Sequence, residues 1–343
     1  MKFSLFFFAN GSDAGEQYRL LLEAARFADR AGFTAVWTPE RHFHDFGAPF
    51  PNPAVTGAAV ASVTRRIDVR AGSVVLPLHE PLRVAEEWAV VDQLSGGRAG
   101  LAVASGWNPH DFTLAPDAFA ERRAALRDGL REVRELWAGR TVSRRAPDGT
   151  RHEVRTHPRP VRGALPTWIT AAGSGDTFAW AGEQGYGVLT HLLGQDWQTL
   201  EDNLVRYGDA LVDAGHGPDE ERVGVMLHTF VGADRDSAVA TARGPMTAYM
   251  RSSMTLFGLD AAEPAGEPVS EEAVEELIAH RYAEYAATRC LIGSVDSCVP
   301  LVAALADLGV DEIACLIDFG VGTDEVLASL AHLDRLRERC ADL

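Results

Sequence analysis

The chain has 343 residues, 46% of them hydrophobic and 24% charged, with 32 Gly and 17 Pro. That composition supports a packed core and excludes a disordered or fibrous chain. With 49 acidic against 32 basic residues the formal net charge is −17, so neither nucleic acid nor an anionic membrane is an expected partner.

The length suits two domains or one large α/β barrel. Cys290, Cys298, Cys315 and Cys340 show no C-x-x-C spacing. No disulfide framework or structural zinc is therefore expected, and a reducing cytoplasmic setting follows. No stretch approaches the roughly 20 apolar residues of a membrane span. The apolar start from Phe3 runs into Asn10-Gly11-Ser12-Asp13, which predicts a first buried strand rather than an export signal.

In chain order, a strand is predicted at Phe3–Phe8, then a helix from Gln17 to Ala31 with Leu20, Leu21, Ala24, Phe27 and Ala28 on one stripe. Strands follow at Thr34–Thr38 and Ile67–Leu76, a helix at Leu82–Leu94 behind Pro81, a strand at Arg98–Ala104 and a helix at Phe119–Trp137. Four further strands are predicted at Thr167–Ala171, Gly187–Thr190, Gly224–Val231 and Glu312–Asp318. Helices near Thr177–Glu183, Asp196–Asp213, Asp236–Tyr249, Val295–Leu308 and Asp324–Arg339 separate them. Eight strands, apolar on both faces and alternating with helices, predict an α/β fold of the (β/α)8 TIM-barrel type in one domain over 1–343. No G-x-G-x-x-G follows the first strand, which weakens a dinucleotide-binding sheet. Two segments, about 139–166 and 258–289, exceed ordinary connections; the second fits a mobile cover or a solvated insertion.

In such a barrel, chemistry belongs at the C-terminal ends of the strands. There the sequence places Glu40-Arg41-His42-Phe43-His44 after the second strand, His79 after the third, Trp107-Asn108-Pro109-His110-Asp111 after the fourth and His191 after the sixth. Histidine in four of five turns on one rim predicts a ligand site. Each residue also has a plainer reading: Glu40 with Arg41 as an ion pair, Asp111 as a cap, Trp88 and Trp107 as packing. The fifth turn, Ala172-Gly173-Ser174-Gly175-Asp176-Thr177, opens a helix with small residues and two hydroxyls, as an anion site requires. A phosphate there gains about 0.3–2 kcal/mol from the helix dipole and about 1.5–3 kcal/mol per charge-assisted hydrogen bond. His42 and His44 with His191 and Asp318 would suit a metal hydrolase, but the pair follows the wrong strand and the fifth strand ends without a ligand, so no metal is expected.

At these same turns the sequence resembles the bacterial luciferase-like, flavin-dependent monooxygenases. The resemblance rests on WTPERHFHDFG (37–47), the NP of PNPAVTGAAVA (51–61), VVLPLHEPLRVAEEWAVVDQLSGGR (74–98), ASGWNPHDF (104–112), AAGSGDTFAWAGEQG (171–185) and VDEIACLIDFG (310–320). WTPERHF and THLLGQ (190–195) look most like the subgroup of natural-product biosynthesis. The resemblance implies a two-component monooxygenase: reduced FMN (FMNH2) comes from a separate flavin reductase, and with molecular oxygen a flavin C4a-hydroperoxide passes one oxygen atom to a natural-product intermediate. It places the cofactor against Gly72, Ser73 (joined by a cis peptide in luciferase), Ala104, Ser105, Trp107, Asp111, Ala172, Gly173, Ser174 and Thr177.

The luciferase catalytic histidine aligns with Arg41. An arginine keeps its proton near neutral pH, so His42 is the titratable candidate, with Arg41 and Glu40 beside it. Ser105 stands where luciferase places an arginine near the phosphate, which predicts weak FMN retention. Substrate is expected against His79, Asn108, His191 and Tyr249, and a homodimer is expected through helices beside the second and third strands. Within the superfamily the alternatives are a deazaflavin (F420)-dependent oxidoreductase and a non-catalytic flavin-binding relative.

Overall fold

A computed structural model describes residues 1–8, 13–44, 49–217, 221–256 and 271–343, without the side chains of 253–256, 271–277 and 279. In chain order the elements are β1 (Lys2–Phe6), α1 (Ala14–Ala31), β2 (Ala35–Thr38), α2 (Pro53–Val63), β3 (Asp68–Val75), α3 (Pro81–Ser95), β4 (Ala99–Ala104), α4 (Arg122–Trp137), β5 (Val142–Arg145) and β6 (Arg151–Val154). They continue with β7 (Thr167–Thr170), α5 (Gly175–Glu183), β8 (Gly187–His191), α6 (Trp197–Asp213), β9 (Val223–Gly232), α7 (Arg235–Leu256), α8 (Glu271–Thr288), β10 (Leu291–Ser294), α9 (Val295–Asp307), β11 (Glu312–Leu316) and α10 (Thr323–Arg339).

Eight strands pair in parallel in the order β1-β2-β3-β4-β7-β8-β9-β11, and β11 returns to β1, closing the barrel expected from the sequence. The helices start and stop on local signals. Asp13 caps α1 by accepting from the Gly15 and Glu16 N–H groups, and Gly32 ends it in the left-handed conformation. Asn52 and Pro53 start α2, and Ser294 with Ser297 forms a capping box on α9.

The N-terminal end of the barrel is closed by a charged plug. Arg70 lies between the rings of Trp37 and Trp168, 4.9 and 4.6 Å from their centroids. Its Nη1 donates to both oxygens of Glu312 at 3.0 Å and its Nη2 to Asp68 at 3.0 Å. Glu312 also accepts from Ser4 Oγ (2.5 Å) and Trp37 Nε1 (3.2 Å). Burial would raise the Glu312 carboxyl, but Arg70 and Ser4 outweigh it and hold it below its ordinary value.

Several elements differ from the sequence expectation. β10 pairs with the C-terminal half of β9, and α2 is a full helix. The first long segment carries the antiparallel β5–β6 hairpin, tied to the barrel by Arg144, which donates to Glu80 (2.7 Å) and Glu132. Of the second, 258–270 lies outside the described residues. From Glu271 onward it is helical, with Tyr282 and Tyr285 buried against the barrel, so this part is packed wall rather than solvated insertion. Among the described residues no helix is long and apolar enough to cross a membrane.

Candidate active site at the C-terminal rim of the barrel

The rim is organised around Glu40. Beyond β2 the chain turns sharply, fixed by the Arg41 N–H to the Phe50 carbonyl (2.9 Å), and this turn sends consecutive side chains in different directions. Glu40 is buried, and its Oε1 lies 2.8 Å from His42 Nε2 and 2.5 Å from His79 Nε2. Its Oε2 accepts from the Val75 N–H at 2.7 Å. An ionised carboxylate only accepts, so both imidazoles carry a proton on Nε2 and are oriented by one oxygen atom. Burial would raise the Glu40 carboxyl; the hydrogen bonds from His42 and His79 outweigh it and hold the group below its ordinary value. Burial likewise works against the His79 cation, but Glu40 wins and raises the His79 pKa. A groove of about 560 Å3 beside Pro77, Pro81, Gly129 and Arg144 reaches His79 from outside the rim.

Arg41 points the other way. Its guanidinium lies 4.3 Å from the Phe8 ring centroid and 5.1 Å from that of Trp107. Burial lowers its pKa, partly offset by the nearby Tyr249 and Asp111; it remains a cation in an aromatic setting. Phe8 is held by its N–H, which donates to both oxygens of Asp318 at 2.8 and 3.0 Å. Asp111 is buried and its pKa is raised by desolvation, against the pull of Arg41 and His42. Asn108 Nδ2 donates to it at 3.0 Å, and Asn108 Oδ1 accepts from the His110 N–H. The ion pair considered between Glu40 and Arg41 is thus replaced by two separate clusters.

Beneath this rim the Gly72–Ser73 peptide is cis. A methyl at Gly72 would lie 2.6 Å from Phe6 Cε2, so only glycine fits there. Ser73 Oγ is 2.5 Å from Thr170 Oγ1, joining β3 to β7 across the barrel. Ala104 and Ser105 follow as half-buried residues on the adjoining strand end, and Trp107 is 38% exposed at the lip. Trp88, in contrast, is core.

The turn after β7 has the features of an anion site. Gly173 has φ +141°, Ser174 is the N-cap of α5 but its hydroxyl makes no capping bond, and the first N–H groups of a helix have no intrahelical acceptor. Ala172 is exposed and Thr177 half-buried one turn into the helix. Arg206 of α6 also reaches this turn: a methyl at Gly175 would lie 2.9 Å from its Nη1. Asn203 Nδ2 donates to the Gly173 carbonyl at 3.2 Å. The N–H groups of a helix start, two hydroxyls, a helix dipole and a guanidinium fit a phosphate dianion.

His191 ends β8, and Tyr249 of α7 is buried, packing on Phe8 (6.3 Å) and on His228 (4.5 Å). His228, Tyr285, Phe319 and Arg206 escaped the sequence reading. A histidine within the apolar run GVMLHTFVG (224–232) was the one available sign, since a polar residue in a buried strand needs a reason. His44 is exposed. Among the described residues no group of three or more His, Cys, Asp or Glu side chains is placed to hold a metal ion.

The chain is 27% identical over 346 residues, 97% of its own length and 93% of the other's, to the oxygenase component of the flavin-dependent trigonelline monooxygenase of Acinetobacter baylyi. It is 28% identical over 298 residues, 85% and 78% of the two lengths, to 4-hydroxyprotoasukamycin monooxygenase of Streptomyces nodosus subsp. asukaensis. Its fold matches monooxygenase RslO1 of Streptomyces bottropensis with a TM-score of 0.81, at 24% identity over 99% of both chains. The same fold is found in an F420-dependent tetrahydromethanopterin reductase of Methanopyrus kandleri (TM-score 0.73, 16% identity, 98% and 99% covered). Residues 1–312 match the family model described as luciferase-like monooxygenase, and the chain belongs to that family.

Proposed function

We propose that this chain is the oxygenase of a two-component system, taking reduced FMN from a separate flavin reductase and transferring one atom of molecular oxygen to a natural-product intermediate. The observation that carries the reading is Glu40, a buried carboxylate that holds two imidazoles on one oxygen at the C-terminal rim, next in sequence to the shielded cation of Arg41. A relative named as the oxygenase component of a flavin-dependent monooxygenase supports it, as does one named 4-hydroxyprotoasukamycin monooxygenase. A structural neighbour, the oxygenating constituent of 3,6-diketocamphane monooxygenase of Pseudomonas putida, is described in complex with FMN (TM-score 0.74, 18% identity, 98% and 97% covered).

When bound, reduced FMN would supply the electrons that divide O2 between substrate and water. The chain's residues do the rest. Gly173, Ser174 and Thr177 would hold the phosphate, with Arg206 as the cation, and Ser73, Ala104, Ser105 and Trp107 would border the ring system. Arg41 stabilises negative charge developing on oxygen, because a cation shielded by Phe8 and Trp107 acts through low dielectric. His42 and His79, fixed through Nε2, take or give a proton at Nδ1, and the groove beside His79 exchanges that proton with solvent. Aromatic walls from Phe8, Trp107, Tyr249 and Phe319 exclude water from a mid-sized organic substrate. Four free, buried cysteines suit a reducing cytoplasm.

Arg206 takes up part of the role that luciferase gives to the arginine replaced by Ser105. Its exposure leaves FMN retention weak, so oxidised FMN should separate from the protein on gel filtration. Arg206→Ala is expected to weaken reduced-FMN binding by about tenfold or more, one charge-assisted contact, in an anaerobic titration. Equal affinity of the variant and the parent would remove Arg206 from the phosphate site. The F420 reading has its own arm in the same titration: tighter binding of reduced F420 than of reduced FMN would favour it.

The homodimer has a candidate face. α2 and α3 pack together and leave Val55 66%, Leu94 55% and Val90 42% exposed, apolar side chains of the kind that a subunit interface covers. Light scattering should give a dimer for the parent chain and a monomer for the Val55→Asp, Leu94→Asp double variant.

A further inference from the structure

On β8 and β9 stands a second pair of titratable side chains that the proton chemistry above does not use. His191 ends β8, paired in register with Met226 of β9, and His228 lies two residues further along β9, level with Leu316 at the end of β11. His228 is fully buried. Its Nδ1 is 2.8 Å from the Tyr285 hydroxyl, and the rings of Tyr249, Tyr285 and Phe319 surround it at 4.5, 5.7 and 5.6 Å.

Among the described residues, His228 Nε2 and His191 Nδ1 are buried without a hydrogen-bond partner. Folded proteins leave few such atoms, because each costs about 1–3 kcal/mol, and an aromatic face is only a weak substitute. Burial pushes His191 down to about 4 and, with His191 nearby, His228 to about 3, so both rings are uncharged near neutrality. A neutral imidazole offers one N–H and one lone pair. It suits a hydroxyl or carbonyl, whereas a charged group would lose its hydration there without gaining a counter-ion. The tautomer is coupled to the Tyr285 hydroxyl: when the hydroxyl donates to Nδ1 the proton sits on Nε2, and when it accepts from Nδ1–H, Nε2 is an acceptor. The wall is continuous towards the reacting end, from His228 through Tyr249 and Phe8 to Arg41.

We infer that His191 and His228 are specificity-determining residues that hydrogen-bond an uncharged hydroxyl or carbonyl oxygen of a flat aromatic substrate, holding its far end while Arg41 and the Glu40 cluster act on the near end. This assignment rests on the oxygenase reading for its reaction, but the recognition itself is measurable without turnover.

The experiment is calorimetric titration of the full chain with 2-naphthol, naphthalene and 2-naphthoate. The parent protein should bind 2-naphthol at least about tenfold more tightly than naphthalene, the worth of one buried hydrogen bond, and more tightly than 2-naphthoate. His228→Phe and His191→Phe should each bring the naphthol-to-naphthalene ratio close to one, and His228→Gln, which keeps a polar group, should restore part of it. If the parent shows no preference for 2-naphthol, or prefers 2-naphthoate, the assignment is wrong. It is equally wrong if folded phenylalanine variants, judged by circular dichroism, keep the preference. Reduced-FMN titration of the same samples tests the oxygenase reading separately, since neither histidine is placed against the phosphate turn.

Discussion

Glu40→Gln should reduce the rate of oxygen transfer by about 100-fold or more, the lower bound for losing positioned acid–base groups, while leaving reduced-FMN affinity within about threefold because no phosphate contact changes. The amide keeps the size of the carboxylate but not its charge. It can accept from one imidazole on its oxygen, yet the shared Oε1 that orients both His42 and His79 loses its hold. The sign of the accompanying titration follows. Glu40 raises the His79 pKa, so in the parent protein His79 keeps its proton to higher pH than a free imidazole. Without the carboxylate charge that titration must move towards acid, and imidazole NMR resonances would report it. An unchanged His79 titration in the variant would mean that the carboxylate does not control the ring.

The second large effect belongs to the opposite end of the barrel. Glu312→Ala should lower stability by about 3 kcal/mol or more, the range for breaking a buried ion pair, because it strips Arg70 of a carboxylate that takes two of its hydrogen bonds. The paired replacement Arg70→Met with Glu312→Leu should lie closer to the parent than Glu312→Ala alone, since the buried guanidinium is removed together with its buried partner, and Asp68, its half-buried second partner, keeps Arg162. Urea unfolding midpoints measure both. The Glu312 pKa is depressed in the folded state, so its contribution is fully present above the unfolded value and is lost as pH falls through the folded one. The difference between parent and Glu312→Ala should therefore shrink in acid. A loss that stays constant into acid would show that the cavity, not the charge, sets the effect.

The barrel was legible because its strands are apolar on both faces, a pattern only a fully covered parallel sheet needs. α2 was not, since PAVTGAAVASV is apolar all round and has no helical period; it is a helix because it is packed against α3 and β3. β10, four residues long, and the short charged β5–β6 hairpin fall below what periodicity resolves. At the rim, the turn residues were readable from their position after each strand, but their partners were not. Glu40 and Arg41 are neighbours of opposite charge in sequence, yet Glu40 meets His79, 39 residues on, and Arg41 meets Phe8 and Trp107. Spacing does not reveal such long-range choices. His228 was hidden in an apolar strand, and Arg206 carries no local sign that it reaches Gly175.

The central claim is that this mouth holds reduced FMN and governs how it meets oxygen. Stopped-flow mixing of anaerobic protein and reduced FMN with oxygenated buffer tests it most directly, following the return of oxidised-flavin absorbance. The account predicts that flavin on the parent protein reoxidises much more slowly than free flavin, and that Glu40→Gln shortens this delay. Reoxidation as fast as in free solution would contradict it.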